Sequence, residues 1–513
     1  MTGRLLILSA LTVLLAGIAT RIGLLNLPAQ FDEFYHLLPA RSLNDGAGFR
    51  ILDGEYRRGA GFTRALALHL RLLGQDDLAT ARLFPMLLGA AVPMVLFLWL
   101  NRHAGWAVAA LAAVLAILWP AGIFEAQTVR FYSLQVLTFL IGAAAFYNGF
   151  QASGRARAAW LALAVPALAV ALSAQMSTLI GAAALGLWWA LAHALPFLRR
   201  HPAGRWVVTL GVPAALLLLF AAYRLGVLHK AWEFYRWVPA HSEKARDDVL
   251  FYHRLFLEGY GPLWAAFPVV LFLAIWRARR MGLFCAVIFA VALVTHSFGA
   301  FKAARYLSYV MPFYFALTAL AIVAVADWVA GQVSARVASA RYLPATAAGL
   351  VVLVALISGS FMAPALRLAT ATAPLNREDW SRVATLVGDW RDVPFRMTTR
   401  ELDTIAYLGD YDLLISRSRL SETPPFTQFA RDTRTGRPII SDTATVAQVM
   451  LCVPEGLIVA DPGWWADVGW QERLAPTLAT PGFQFQTRAD DQNFLLRWQS
   501  PQPPAGACDL PGL

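Results

Sequence analysis

Runs of Leu, Ala and Val fill the chain as far as about Leu366, and beyond it Pro, Gly and charged residues return. A helix needs about 20 apolar residues to cross roughly 30 Å of hydrocarbon. The runs that approach this length are 5–25, 84–100, 107–120, 131–150, 158–172, 178–198, 206–222, 263–276, 283–295, 307–325 and 345–366. They predict a mainly α chain, a polytopic transmembrane helical bundle of about 11 spans, with 10–13 as the range that the shorter runs allow. The first run does not have the form of a cleaved signal peptide, because Arg21 interrupts it and no small-residue cleavage site follows.

Past residue 366 the pattern changes period. Helical stretches at 379–390, 402–408 and 443–451 alternate with short strands at 395–398, 412–416, 438–441 and 456–460, and a hairpin is expected across 483–498. This predicts a C-terminal α/β domain, so the chain divides into a membrane domain over 1–366, with external loops at 26–83 and 225–262, and a soluble domain over 367–513. The soluble part carries no glycine-rich phosphate loop and no nucleophile motif. Gly436, in Thr-Gly-Arg-Pro, reads as a turn.

Composition agrees with lipid as the solvent of the first part: 58% of the 513 residues are hydrophobic and 15% charged, and the mean hydropathy is +0.53. The net charge of +11 would suit nucleic acid or anionic lipid. It sits in short loops between apolar runs, with no basic tail, RNA-binding signature or zinc spacing, so membrane topology accounts for it and no nucleic acid partner is expected. Cys285 falls inside an apolar run and reads as packing. Cys452 and Cys508 lie in the soluble part, where an oxidising compartment would permit them to pair.

The loops alternate in charge. One set holds Arg4, Arg102, Arg155, Arg157, Arg199, Arg200, Arg205, Arg277, Arg279, Arg280, Arg336 and Arg341, with Asp327 its sole acid. Lys and Arg stay on the cytoplasmic side, which puts the N-terminus inside. The other set (26–83, 125–130, 173–177, 225–262, 298–305 and everything after 366) then lies outside a bacterial inner membrane, in the periplasm.

Three outer clusters hold candidate chemistry. Asp32 and Glu33 follow the first span within Gln30-Phe31-Asp32-Glu33-Phe34-Tyr35-His36. They read as a general base in an aromatic setting or as a helix cap. Arg130 and Tyr132 stand at the outer mouth of the fourth span, as phosphate ligands or as interfacial anchors. Lys302 and Arg305, followed by Tyr306, run against the charge trend of their side, so an anionic partner or snorkelling accounts for them. One base and several external cations suit transfer of a group away from a lipid phosphate. That leaving group is already a weak base and needs charge neutralisation rather than a general acid.

In this order and topology the motifs resemble the glycosyltransferase C superfamily, in particular the bacterial branch related to protein O-mannosyltransferases and aminoarabinose transferases, the family 39 type. The matching features are Asp32-Glu33 opening the first external loop, Arg130-Phe131-Tyr132 before the fourth span, Arg305-Tyr306 leading into a proline-containing late span, and the outer α/β domain. The resemblance implies an inverting single displacement. A polyprenyl-phosphate sugar would be the donor, and a glycolipid such as lipid A, a polysaccharide or a protein the acceptor. It makes Asp32 the base, Glu33 its supporting carboxylate, Arg130, Lys302 and Arg305 the phosphate contacts, and Tyr132 and Tyr306 supporting groups.

Two departures from the family pattern stand out. Where relatives often show a proline pair, this chain has Arg58-Gly59-Ala60-Gly61-Phe62. Where many show His-x-Thr it has Gln175-Met176-Ser177, leaving Gln175 as the substitute. The loop 225–262 mixes Trp232, Tyr235, Trp237 and Tyr252 with charged residues and reads as a substrate lid or as an interfacial connector. No spacing identifies a metal site, so no metal ligand is assigned, and the cofactor, a divalent cation included, stays open. The rival class is a transporter or flippase of lipid-linked intermediates, which would place ionisable groups near mid-membrane and show repeated halves.

Overall fold

The computed structural model describes residues 3–23, 25–200, scattered positions within 201–246, 247–334, 362–371, 379–416, 429–440, 443–467, 470–501, 508 and 510. The chain divides into two units, Met1–Leu25 with Arg82–Ala373, and Asn26–Ala81 with Pro374–Leu513. The first external loop therefore groups with the C-terminal segment rather than with the helices that flank it in sequence.

The first unit is helical and multi-pass. Among the described residues six helices are long and apolar enough to cross a membrane: Leu78–Ala104, Tyr132–Gln151, Gly154–Ala174, Thr178–Leu198, Arg279–Phe298 and Ala304–Gln332. The number rises to eight if the bent pairs Trp106–Ile117 with Pro120–Ala126, and Phe251–Ala265 with Phe267–Arg277, each form one span. The expectation of about 11 rests further on 5–25, where the helix Gly3–Ala19 is 17 residues long, and on 206–222 and 345–366, which lie largely outside the described residues. The same holds for most of the expected lid.

The bends have local causes. Pro120 lacks an N–H and opens the second half of its pair, at 61° to the first. In the other pair a proline in the first turn of Phe267–Arg277 marks the 54° bend, and the helix before it carries its own kink, where Gly261 adopts φ 39° and ψ −114° directly before Pro262. Ala304–Gln332 is the innermost span, with 94% of its most apolar stretch buried. Around it the rings of Trp99, Tyr147 and Trp188 meet Phe284 at centroid distances of 5.8, 4.9 and 4.9 Å, so large aromatics fill the space between helices.

The second unit carries a seven-stranded sheet in the order β5-β6-β4-β3-β7-β9-β8. Its strands are β3 (Arg396–Thr398), β4 (Leu413–Ile415), β5 (Ala430–Arg431), β6 (Pro438–Ile440), β7 (Glu455–Ala460), β8 (Gln484–Ala489) and β9 (Phe494–Gln499). The centre is parallel, β6-β4-β3-β7, and antiparallel strands close both edges. Period-two alternation sorts the residues. Ile458 and Ala460 face one layer with Val446, Val449 and Trp498, and Leu457 and Val459 face the other with Trp380, Val387 and Trp390. Cys452 and Cys508 are bonded, with Cα atoms 5.5 Å apart and a separation of 56 positions in sequence.

A two-stranded hairpin in the first external loop, β1 (Arg50–Ile51) and β2 (Gly54–Glu55), joins this domain. The Asp53 and Gly54 amides donate to the Thr435 carbonyl at 3.1 and 2.9 Å, and Leu52 packs on Tyr411, Leu414 and Ile439. The fit is close enough to exclude a side chain on either partner. A Cβ on Gly54 would lie 2.3 Å from the Arg434 carbonyl oxygen, and one on Gly436, which holds φ +75°, 2.8 Å from the Gly54 amide. Gly436 is thus more than a turn residue, because it needs both a left-handed backbone and an empty side.

Replacing Gly436 by Ala is expected to destabilise the soluble unit by about 1–3 kcal/mol, as overpacking and a positive φ both act against it. Reduction of the Cys452–Cys508 bond is expected to cost a further 2–4 kcal/mol or so, for a closed loop of this length. Thermal melts of the full chain check both, and a Gly436→Ala melt equal to wild type would contradict the account of the hairpin contact.

Candidate functional site

Two clusters of buried charge stand out, one in each unit. In the helical unit the short helix Pro120–Ala126 carries Glu125 in its last turn, 8% exposed. The Ser308 hydroxyl donates to Glu125 Oε1 at 2.6 Å, and the charges of Arg305 and Arg130 act on the same carboxyl. Two predicted phosphate contacts, distant in sequence, are thereby gathered around one acid. Burying a carboxylate is costly unless hydrogen bonds and opposite charge meet it.

Each arginine is seated by its neighbours. Arg130 lies over the rings of Phe131 and Tyr132 at 5.6 and 5.5 Å, and Arg305 over Tyr306 at 5.8 Å. Tyr306 in turn stacks on His296 at 6.1 Å. Lys302 is 5% exposed and donates to the Gly299 carbonyl at 2.7 Å. Burial lowers its ammonium pKa, opposed by the charges of Asp248 and Asp247. Gln175 caps the turn between Gly154–Ala174 and Thr178–Trp189: its N–H donates to the Ala171 carbonyl at 3.0 Å, and its carbonyl accepts from Thr178 N at 3.1 Å. The Gln135 side chain ties the same turn down, donating to Ser177 and Thr178 hydroxyls at 3.0 and 3.1 Å.

Arg21 is 1% exposed. Its guanidinium donates to the Gly17 carbonyl at 3.2 Å, the Thr20 hydroxyl at 2.9 Å and the Ala116 carbonyl at 3.1 Å. It lines the same small cavity as Glu125.

In the second unit, Asp32 and Glu33 sit on the turn Phe31–Glu33 that opens the helix Phe34–Asn44. The Glu33 carboxylate, fully buried, accepts the Gln30 amide at 2.8 Å, while Glu33 N donates back to the Gln30 carbonyl at 2.9 Å. Glu33 therefore caps and orders the turn, while its neighbour Asp32 stays half-buried. Arg434 acts electrostatically on Asp32. Its Nη2 donates to Glu401 at 2.7 Å, its Nε to Asp432 at 3.3 Å, and its guanidinium lies 4.8 Å from the Tyr35 ring centroid. Burial pulls the Arg434 pKa down to about 9, and the Asp32 charge works against that fall. Arg400 stacks on Phe31 and Trp380 at 5.4 and 5.0 Å and pairs with Asp403 at 3.0 Å. His36, one turn beyond Asp32, hydrogen-bonds the Thr63 hydroxyl at 2.9 Å.

In the helical unit the charges of Arg130 and Arg305, each seated on a neighbouring tyrosine ring, thus act on one acid, and Asp32 and Glu33 lie in the other unit. Sequence reasoning missed Glu125, Ser308 and Arg434. Glu125 opens the outer link 125–130 that ends on Arg130, and the Arg434-Thr435-Gly436-Arg437 turn was the available sign of the third. Among the described residues no group of three or more His, Cys, Asp or Glu side chains is placed to hold a metal ion.

No protein-family model matches the chain, and no curated protein is significantly similar to it. Solved structures are. ArnT from Cupriavidus metallidurans bound to undecaprenyl phosphate matches with a TM-score of 0.62 at 16% identity, over 96% of this chain and 97% of that one, and its apo state matches at 0.61. The archaeal oligosaccharyltransferase AglB from Archaeoglobus fulgidus, in complex with an inhibitory peptide and a dolichol-phosphate, matches at 0.56 and 13% identity over 97% of this chain and 75% of that one. At such identities the likeness is one of fold. That fold agrees with the one the motif resemblance implies.

Ser308→Ala would strip Glu125 of its hydroxyl donor and is expected to destabilise the helical unit by about 1–3 kcal/mol. Glu125→Gln, which keeps an acceptor facing Ser308, should cost less. Melting temperatures in detergent check the ranking, and a Ser308→Ala protein as stable as wild type would contradict it.

Proposed function

We propose that this chain is a membrane glycosyltransferase that moves a sugar from a polyprenyl-phosphate carrier to an acceptor on the outer face of a bacterial inner membrane. The observation that carries the reading is the gathering of Arg130 and Arg305 around the Glu125–Ser308 pair, in a fold whose solved neighbours hold undecaprenyl phosphate and a dolichol-phosphate. The charge alternation of the loops supports the sidedness, with the N-terminus cytoplasmic and the C-terminal domain periplasmic. Nucleotide-activated sugars are not found outside that membrane, so a donor there arrives attached to a lipid.

The reaction is a single inverting displacement. The acceptor's O–H or N–H group attacks the anomeric carbon of the sugar, its proton passes to the Asp32 carboxylate, and the bond from that carbon to the phosphate oxygen breaks. The electron pair leaves with the polyprenyl phosphate. Arg130, Lys302 and Arg305 neutralise that phosphate, and guanidinium groups suit the task because they bind phosphate oxygens in pairs. Glu33 supports Asp32 by ordering the turn that carries it. Tyr132, Tyr306 and Gln175 support the phosphate end, the tyrosines through the arginines stacked on them and Gln175 through its turn. The acceptor is a glycolipid, a polysaccharide or a protein that presents such a group at the outer membrane surface.

Purified protein given a labelled polyprenyl-phosphate sugar and an outer-membrane glycolipid is expected to transfer the label, and Asp32→Asn to slow transfer by about 10²–10⁴-fold, the range for a positioned general base. Full transfer by Asp32→Asn would remove the base assignment. Cysteine labelling from the periplasmic side should reach positions after residue 379, and labelling only from the cytoplasm would overturn the donor argument.

A further inference from the structure

The soluble domain holds no motif for chemistry, yet one of its arginines is built into the acidic turn of the first loop. Arg434 meets carboxylates from separate segments: Glu401 at 2.7 Å, Asp432 at 3.3 Å, and Asp32 through its charge. The ring of Tyr35, one turn of helix beyond Asp32, lies 4.8 Å from its guanidinium centre. An arginine needed only to tie its own loop together would be satisfied by Asp432, which also accepts the Arg434 amide at 3.2 Å.

The turn that carries Arg434 is itself registered to the first loop. Thr435, the next residue, accepts both hairpin amides, from Asp53 and Gly54, and Arg437 pairs with Asp53 at 3.3 Å. Arg400 lies over Phe31, the residue before Asp32, and is held by Asp403. Phe31 and Tyr35, on either side of Asp32 in sequence, thus each carry an arginine from the C-terminal segment.

We propose that Arg434 is a positioning residue for transfer, holding through the face of Tyr35 the turn that carries Asp32, in the orientation from which its carboxylate takes the acceptor's proton. The proposal rests on the reading of Asp32 as the base. It gives the soluble domain a part in the reaction, through a guanidinium anchored by Glu401 and Tyr35. Lysine would keep the charge without the planar fork that spans Glu401, Asp432 and the Tyr35 face, so charge and geometry separate experimentally.

The test uses the full-length protein in the labelled transfer assay, with kcat and KM for the donor measured alongside thermal melts. Arg434→Gln is expected to lower kcat at least tenfold with donor KM within twofold of wild type, and Arg434→Lys to recover part of the loss. Should Arg434→Gln fail to fold, Glu401→Gln, which keeps the guanidinium but removes one anchor, is expected to lower kcat at least threefold with an unchanged melt. The proposal is overturned by a wild-type kcat in a folded Arg434→Gln protein, by a loss confined to donor KM, by no recovery in Arg434→Lys, or by a wild-type kcat in Glu401→Gln. Wild-type turnover by Asp32→Asn overturns the base assignment itself, and this role of Arg434 with it, whatever Arg434→Gln does.

Discussion

A charge taken out of water must be met by opposite charge or by hydrogen bonds, and this chain arranges its polar groups around that requirement. Glu125 is met by Ser308 and by the charges of Arg305 and Arg130. Arg434 is met by Glu401, Asp432 and Asp32. Arg21 and Arg82, both nearly inaccessible, donate to main-chain carbonyls, at Gly17 and Ala116 for the first, which also donates to the Thr20 hydroxyl, and at Leu25 for the second. Leaving any of these groups unmet would cost several kcal/mol. The places where charges gather are therefore fixed, and the reading of function begins from them.

The same requirement explains why the helical unit was legible in the sequence. Lipid offers no hydrogen bonds, so its spans must be helical and apolar, and run length alone located Tyr132–Gln151, Gly154–Ala174 and Thr178–Leu198 to within a few residues. The strands of the soluble domain were legible for a different reason. Leu457-Ile458-Val459-Ala460 is buried on both faces between two helical layers, and such central strands read as short apolar runs. Lys302 and Arg305 showed themselves by standing against the charge trend expected of their side, and Arg130 by its place at the expected mouth of a span.

Contacts between distant segments were not legible. Nothing local in Gln30-Phe31-Asp32-Glu33 announces an arginine from the far end of the chain, and the strands that bring the first loop to the soluble domain are two residues long, too short for a periodic pattern. Gly436 read as a turn because the second demand on it, room for the hairpin backbone, comes from another segment. Glu125 was passed over in favour of the cations beside it, although its burial is what gathers them. The domain boundary behaved alike: composition changes near residue 366, whereas the structure assigns Asn26–Ala81 to the second unit by contact.

The central claim is that Arg130 and Arg305 receive a lipid phosphate, and equilibrium binding of undecaprenyl phosphate to the purified protein tests it most directly. Loss of one charge-assisted contact is worth about 1.5–3 kcal/mol, so Arg130→Ala and Arg305→Ala should each weaken binding by roughly 10- to 100-fold, while Asp32→Asn binds as wild type does. Unaltered affinity in both arginine variants would contradict the account.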